Sequence, residues 1–177
     1  MSIVLIKIPD NISKRLSSIK VPGEIDENKH ITVFYFNDDT HPYDSFEILR
    51  STYDAIRDED PITITIDSIS NFDDHGSGYP IKCDVKSDGL LSLREKIKAY
   101  YDYQGIKYDT KWKDFIPHIT LSYNERPIKP VKIKPITFTV DRIYYYGGSM
   151  DNEFMRASFK LDKEMNENLS FGGSGQL

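Results

Sequence analysis

Apolar positions along this chain recur with two periods, and each stretch of one period predicts an element. Ile3-Val4-Leu5-Ile6-Lys7-Ile8 is a continuous apolar run closed by Pro9-Asp10, the pattern of a buried strand. Asn11 or Ser13 can cap a short helix through Leu16 and Ile19, broken by Val21-Pro22-Gly23. Glu24 to Lys29 is a charged approach to the β-branched run that starts at His30. Asn37 to Tyr43 is polar, contains Pro42 and predicts a loop. Asp44 then opens a helix with Phe46, Leu49, Tyr53 and Ile56 on one face, stopping before Asp60-Pro61. Ile62 to Asp67 alternates with period two, Asp73 to Gly78 has turn chemistry, and Pro80 to Val85 reads as the returning strand.

The second half repeats this programme. Leu90, Leu93, Ile97 and Tyr100 or Tyr101 mark a helix to about Tyr103, ended by Gly105. A loop from Lys107 to Phe115 leads to a second β-branched run at His118. Pro127, Pro130 and Pro135 predict a stiff connection. Ile136 to Val140 and Ile143 to Tyr146 are strand-like and can be read as one bent strand. Gly147-Gly148-Ser149 predicts a turn, and Phe154 to Leu161 alternates as a final strand. The organisation expected is one bilobal domain over 1–162, followed by a polar, Gly/Ser-containing tail or linker over 163–177.

Two short stretches in this pattern are copies of each other. Lys29-His30-Ile31-Thr32-Val33-Phe34-Tyr35 and Pro117-His118-Ile119-Thr120-Leu121-Ser122-Tyr123 each place His-Ile-Thr at the head of a strand. On a regular strand, residues two apart share a face. His30 and Thr32 therefore project together, as do His118 and Thr120, with Phe34 and Ser122 continuing those faces. Ile31, Val33, Tyr35, Ile119, Leu121 and Tyr123 are expected to face a core. The two histidines are 88 residues apart in a chain of 177. That spacing predicts a duplicated strand-helix-strand unit whose halves meet across one cleft.

Composition narrows the functions available. The net charge of −5 argues against a protein that coats long DNA or RNA, which would carry a basic stripe. It permits a small nucleotide, an oligonucleotide or an RNA terminus held by a few local cations. The single Cys83 cannot form an intrachain disulfide, which points to the cytoplasm, that of an infected host cell if the source is a virus. No Cys/His cluster has zinc spacing, and no apolar run approaches the roughly 18 residues of a membrane span. A monomer without metal or other cofactor, and without a membrane partner, is expected.

Paired histidines can divide acid and base work. Imidazole titrates near pH 6.5, so one ring can be neutral while the other is protonated. The neutral ring takes a proton from an attacking oxygen, and the protonated ring supplies one to the leaving oxygen, each transfer being worth about 10²–10⁴-fold in rate. Two threonine hydroxyls suit the non-bridging oxygens of a phosphodiester.

With its two His-x-Thr motifs, each on a strand, the chain resembles the 2H phosphoesterase superfamily, which includes 2′,3′-cyclic nucleotide phosphodiesterases and 2′-5′ RNA ligase-like proteins. The resemblance covers about residues 1 to 162. It includes Pro117 before the second motif and the strand-turn-strand segment from Ile143 to Phe159. It implies an α+β fold of two pseudo-symmetric lobes of antiparallel sheet, helices packed outside and a central concave cleft. It implies His30, Thr32, His118 and Thr120 as catalytic residues. Val33-Phe34-Tyr35 is more aromatic than the usual first motif. The activity implied is metal-independent hydrolysis of a 2′,3′-cyclic phosphate or of a 2′-5′ or cyclic oligonucleotide bond. Cleavage of oligonucleotide immune messengers is a close variant, and a non-catalytic RNA-end or nucleotide-binding module is the rival.

Further residues are expected to bind substrate. Lys82 and Arg156 interrupt apolar alternation, which places them on the non-core faces where they can neutralise phosphate charge. Lys7 has the same pattern. Trp112, Phe115 and the run Tyr144-Tyr145-Tyr146 can stack on a base, with core packing or a buried hydrogen-bonded hydroxyl as the alternative role for most of them. His41 and His75 lie in polar turns and are assigned no role. Cys83 is expected to be a small buried strand residue.

Overall fold

The computed structural model describes residues 2–36, 42–74, 76–111, 114–149 and 152–164. His41, Trp112 and the tail beyond Glu164 lie outside the described residues, as does His75. The described chain forms two antiparallel sheets with helices against them and a concave surface. The first sheet has the order β3 (His30–Phe36), β1 (Ser2–Lys7), β8 (Arg142–Ser149), β9 (Asn152–Lys160), and the second β2 (Glu24–Ile25), β6 (His118–Asn124), β5 (Tyr79–Lys86), β4 (Ile62–Asn71), β7 (Val131–Val140).

β1 (Ser2–Lys7), α1 (Asp10–Ser17), β2 (Glu24–Ile25) and β3 (His30–Phe36) form the first unit. Ile12 and Leu16 are the buried side of α1, which follows Pro9 without a side-chain cap. The charged approach at Glu24 contains the short β2, which pairs with β6 through Glu24–Tyr123 and Ile25–Ser122. Gly23 precedes it with a φ of +92°, and a Cβ there would stand 2.1 Å from the carbonyl oxygen of Tyr123. Only glycine permits that approach.

α2 (Pro42–Ile56) starts two residues earlier than expected, with proline at its first position, where the missing N–H costs nothing. Its buried side also differs from the expected one. Phe46 is 62% exposed and Tyr53 38%, whereas Ser45, Ile48, Ser51, Thr52, Ala55 and Ile56 are buried. The reason is hydrogen bonding by small polar residues. Thr52 Oγ1 donates to the Ile48 carbonyl at 2.6 Å and is 2.6 Å from the Tyr101 hydroxyl. The Tyr145 hydroxyl donates to Ser45 at 2.7 Å. Satisfied in this way, the small side chains allow α2 to pack against α3 (Asp88–Gln104).

β4 (Ile62–Asn71) and β5 (Tyr79–Lys86) are antiparallel partners. α3 (Asp88–Gln104) buries Leu90, Leu93, Ile97 and Tyr101, and Ser87 caps its start by accepting the Leu90 N–H. Gly105 ends it at φ 70°, as the sequence predicts. β6 (His118–Asn124) completes the second unit. β7 (Val131–Val140) contains Pro135, which was expected in a connection. β7 is a sheet edge, where a missing N–H is tolerated. β8 (Arg142–Ser149) is not a bend of β7. Only Asp141 separates them, and they belong to different sheets. Gly147 to Ser149 belong to β8 rather than to a turn, and β9 (Asn152–Lys160) pairs with it. The lobes correspond: β3 and β6 each lie beside the strand that opens their unit, β1 and β5.

Candidate functional site

His30 and His118 head β3 and β6, which lie in contact where the two sheets meet. The rings are held alike. Nδ1 of His30 is 2.6 Å from the Asn28 carbonyl, and Nδ1 of His118 is 2.7 Å from the Ile116 carbonyl. A carbonyl only accepts, so each Nδ1 carries the proton and each Nε2 is left for other chemistry. Thr32 and Thr120 are half-buried on the same faces, two residues on.

The expected alternation fails just beyond each threonine. Val4 pairs with Phe34, but Leu5 pairs with Thr32, so β3 carries one extra residue, Val33. Ile81 pairs with Ser122, but Lys82 pairs with Thr120, so β6 carries the extra Leu121. Each is a β-bulge, and each reverses the faces that follow it. Phe34 and Ser122, expected beside the histidines, are 3% and 0% exposed. Ser122 donates to the Pro22 carbonyl at 2.7 Å. Tyr35 and Tyr123, expected in the core, are each 41% exposed. Thr32 Oγ1 donates to the Tyr35 hydroxyl at 3.3 Å, and the Thr120 hydroxyl is near enough to the Tyr123 phenol to lower its pKa slightly against the larger effect of burial.

Lys82 lies directly opposite Thr120, and Asp84 opposite His118. Lys82 is 5% exposed, ion-paired with Asp84 and 2.8 Å from Ser70 Oγ. Its ammonium also lies 4.5 Å from the centre of the Phe72 ring. That ring meets the His118 ring edge-on at 4.7 Å. Lys82 is thus committed to protein partners rather than open to solvent. Burial would raise the Asp84 carboxyl, but hydrogen bonds from Lys82, Ser70 and Ser68 hold it below its ordinary range. His118 is pushed below the ordinary imidazole value, chiefly by burial and further by the charges of Lys82 and His30. The two imidazoles stand at the heads of strands that are in contact. Cys83 is fully buried, its thiol pushed up to about 12 by burial.

In the first sheet, Lys7 lies opposite His30. Its ammonium is 4.7 Å from the Tyr144 ring centre and 5.2 Å from that of Tyr146. Arg156 pairs with Tyr146 across β8 and β9, its guanidinium 4.9 Å from the same ring. Tyr145, between them, is buried. Cations and tyrosine rings therefore alternate across the face beside His30. Phe115 stacks instead with Arg94, 4.4 Å from its guanidinium, at an open pocket of about 660 Å³ between α3 and the loop before β6. Sequence reasoning missed the cleft-side places of Tyr35 and Tyr123. The repeated tyrosine five residues after each histidine was the available signal.

A family model described as the 2′-5′ RNA ligase superfamily matches residues 26–149, a span containing both motifs. No curated protein matches the sequence. Among solved structures, the protein TT0787 of Thermus thermophilus has a TM-score of 0.69 at 15% identity, covering 91% of this chain and 94% of that one. A structure described as a phosphoesterase has a TM-score of 0.67 at 16% identity, covering 90% and 98%. E. coli LigT complexed with NADP+ has a TM-score of 0.62 at 16% identity, covering 90% and 94%. LigT has also been solved with ATP, 3′-AMP and phosphate. Among the described residues, no helix is long and apolar enough to cross a membrane.

Proposed function

Because the chain belongs to the 2′-5′ RNA ligase superfamily, whose members are 2H-phosphoesterase-type enzymes, we propose that it hydrolyses a 2′,3′-cyclic phosphate or a 2′-5′ or cyclic oligonucleotide bond, by two-histidine catalysis without a metal. The observation that carries this reading is the matched setting of the histidines, each with Nδ1–H tied to the carbonyl two residues back.

In this reading His118 is the base. Its depressed pKa favours the neutral ring, whose Nε2 takes a proton from water as the water oxygen bonds to phosphorus. His30 is the acid, and its Nε2–H protonates the oxygen that leaves as the old P–O bond breaks. Thr32 and Thr120 donate to the non-bridging oxygens. The cation and tyrosine face formed by Lys7, Tyr144, Tyr146 and Arg156 takes a base and a further phosphate. Lys82 acts indirectly, through Asp84 and the surroundings of His118. The nucleotides and phosphate held by LigT support a small nucleotide or oligonucleotide substrate. The enzyme works as a cytoplasmic monomer.

The test is a substrate panel: 2′,3′-cyclic mononucleotides, 2′-5′ and 3′-5′ dinucleotides, and cyclic di- and trinucleotides. Wild type is expected to consume at least one of the non-3′-5′ classes, and the His30→Ala/His118→Ala double variant none. A folded wild type that binds such compounds and turns over none of them would make the chain a binding module.

A further inference from the structure

The repeated motif is longer than His-Ile-Thr. Both copies end in tyrosine at the same place, His30 to Tyr35 and His118 to Tyr123. On a regular strand a residue three beyond threonine faces away from it. The extra residues Val33 and Leu121 cancel that reversal in each strand. A bulge breaks its ladder locally, and bulges gather where a side chain must be re-aimed beside a site. Here the same interruption occurs at equivalent positions of both lobes with the same result. The Tyr35 phenol accepts from Thr32, Tyr123 takes the equivalent place beside Thr120, and the two tyrosines are equally exposed.

We propose that Tyr35 and Tyr123 are positioning residues that aim the hydroxyl protons of Thr32 and Thr120 at the phosphoryl oxygens. The inference rests on the phosphodiesterase reading above. A threonine hydroxyl has one proton and two lone pairs. Without substrate, Thr32 gives its proton to the Tyr35 oxygen at 3.3 Å, a long and weak bond. When a phosphoryl oxygen arrives, the bond reverses. The tyrosine O–H donates into Oγ1, and the threonine proton turns to the anion. A hydroxyl that accepts one hydrogen bond donates the next more strongly, and its new acceptor is charged. No proton changes owner. Burial and the nearby Asp26 charge raise the Tyr123 phenol above its ordinary value, so it keeps its proton over the working range.

The experiment is a double-mutant cycle read by kcat, KM and the affinity for inorganic phosphate. Tyr35→Phe keeps the ring and removes the hydroxyl. It is expected to lower kcat and phosphate affinity about 3- to 10-fold, the share of one hydrogen bond, with an unchanged melting temperature. In a Thr32→Val background it is expected to add nothing, because no proton is left to aim. Tyr123→Phe is expected to behave likewise with Thr120→Val. Phe variants equal to wild type, or losses that multiply fully with those of Thr→Val, overturn the proposal. So does a loss seen only in Tyr35→Ala and Tyr123→Ala, which would mean that the rings act and the hydroxyls do not. If the histidine variants retain turnover, the phosphodiesterase reading fails. If they are dead while the Phe variants are normal, only the tyrosine proposal fails.

Discussion

Asp84 stands directly opposite His118 in the β5–β6 register, and its carboxylate is bound by the ammonium of Lys82 from two residues earlier on the same strand. The two charges act on the imidazole in opposite senses. Lys82 disfavours imidazolium and Asp84 favours it, with burial the largest influence.

This opposition predicts opposite pH shifts. With His118 as base, the acidic limb of kcat/KM reports its pKa in the free enzyme and falls below the ordinary 6.5. Asp84→Asn removes the anion that supports imidazolium and moves the limb to still lower pH. Lys82→Met removes the cation and leaves Asp84 unpaired, so the limb moves up. A pH profile of each variant checks this, and shifts in one direction for both would contradict it.

The face beside His30 should govern binding. Lys7→Ala is expected to raise KM about 3- to 10-fold for a dinucleotide or larger substrate and less for a cyclic mononucleotide, with kcat nearly unchanged. Tyr144→Ala should do the same through lost stacking, worth about 1–3 kcal/mol per base. Steady-state kinetics on substrates of both sizes measures the difference. Equal effects on both would remove the second phosphate from the account.

Stability should depend on the polar contact between α2 and α3. Thr52→Val leaves the buried Tyr101 hydroxyl without its partner at 2.6 Å. The expected cost is about 1–3 kcal/mol. For a chain of this size that lowers the melting temperature by about 3 to 10 °C. Thermal unfolding reads it, and kcat at low temperature should be unaffected.

Much of this was legible because it is local. The His-Ile-Thr copies, the buried stripe of α3 and the Gly105 cap depend on residues near in sequence. What was not legible depends on partners far along the chain. Val33 becomes a bulge only because Leu5 pairs with Thr32, and nothing in the β-branched run announces that register. The buried side of α2 carries Ser45 and Thr52, whose burial is offset by tyrosines on β8 and α3. Lys82 interrupts an apolar alternation just as an exposed lysine would. Asp84 is local to it, two residues on, but only the fold brings Ser70 and Phe72 around the pair.

In the proposed reaction two histidines share the proton transfers without a metal. The most direct measurement is turnover of the preferred substrate, in EDTA, by His30→Ala and His118→Ala, each verified as folded by its melting temperature. Full wild-type activity in EDTA and a loss of about 10²–10⁴-fold in each variant are expected. Near-normal turnover in either folded variant, or loss of wild-type activity in EDTA restored by a divalent cation, would contradict this mechanism.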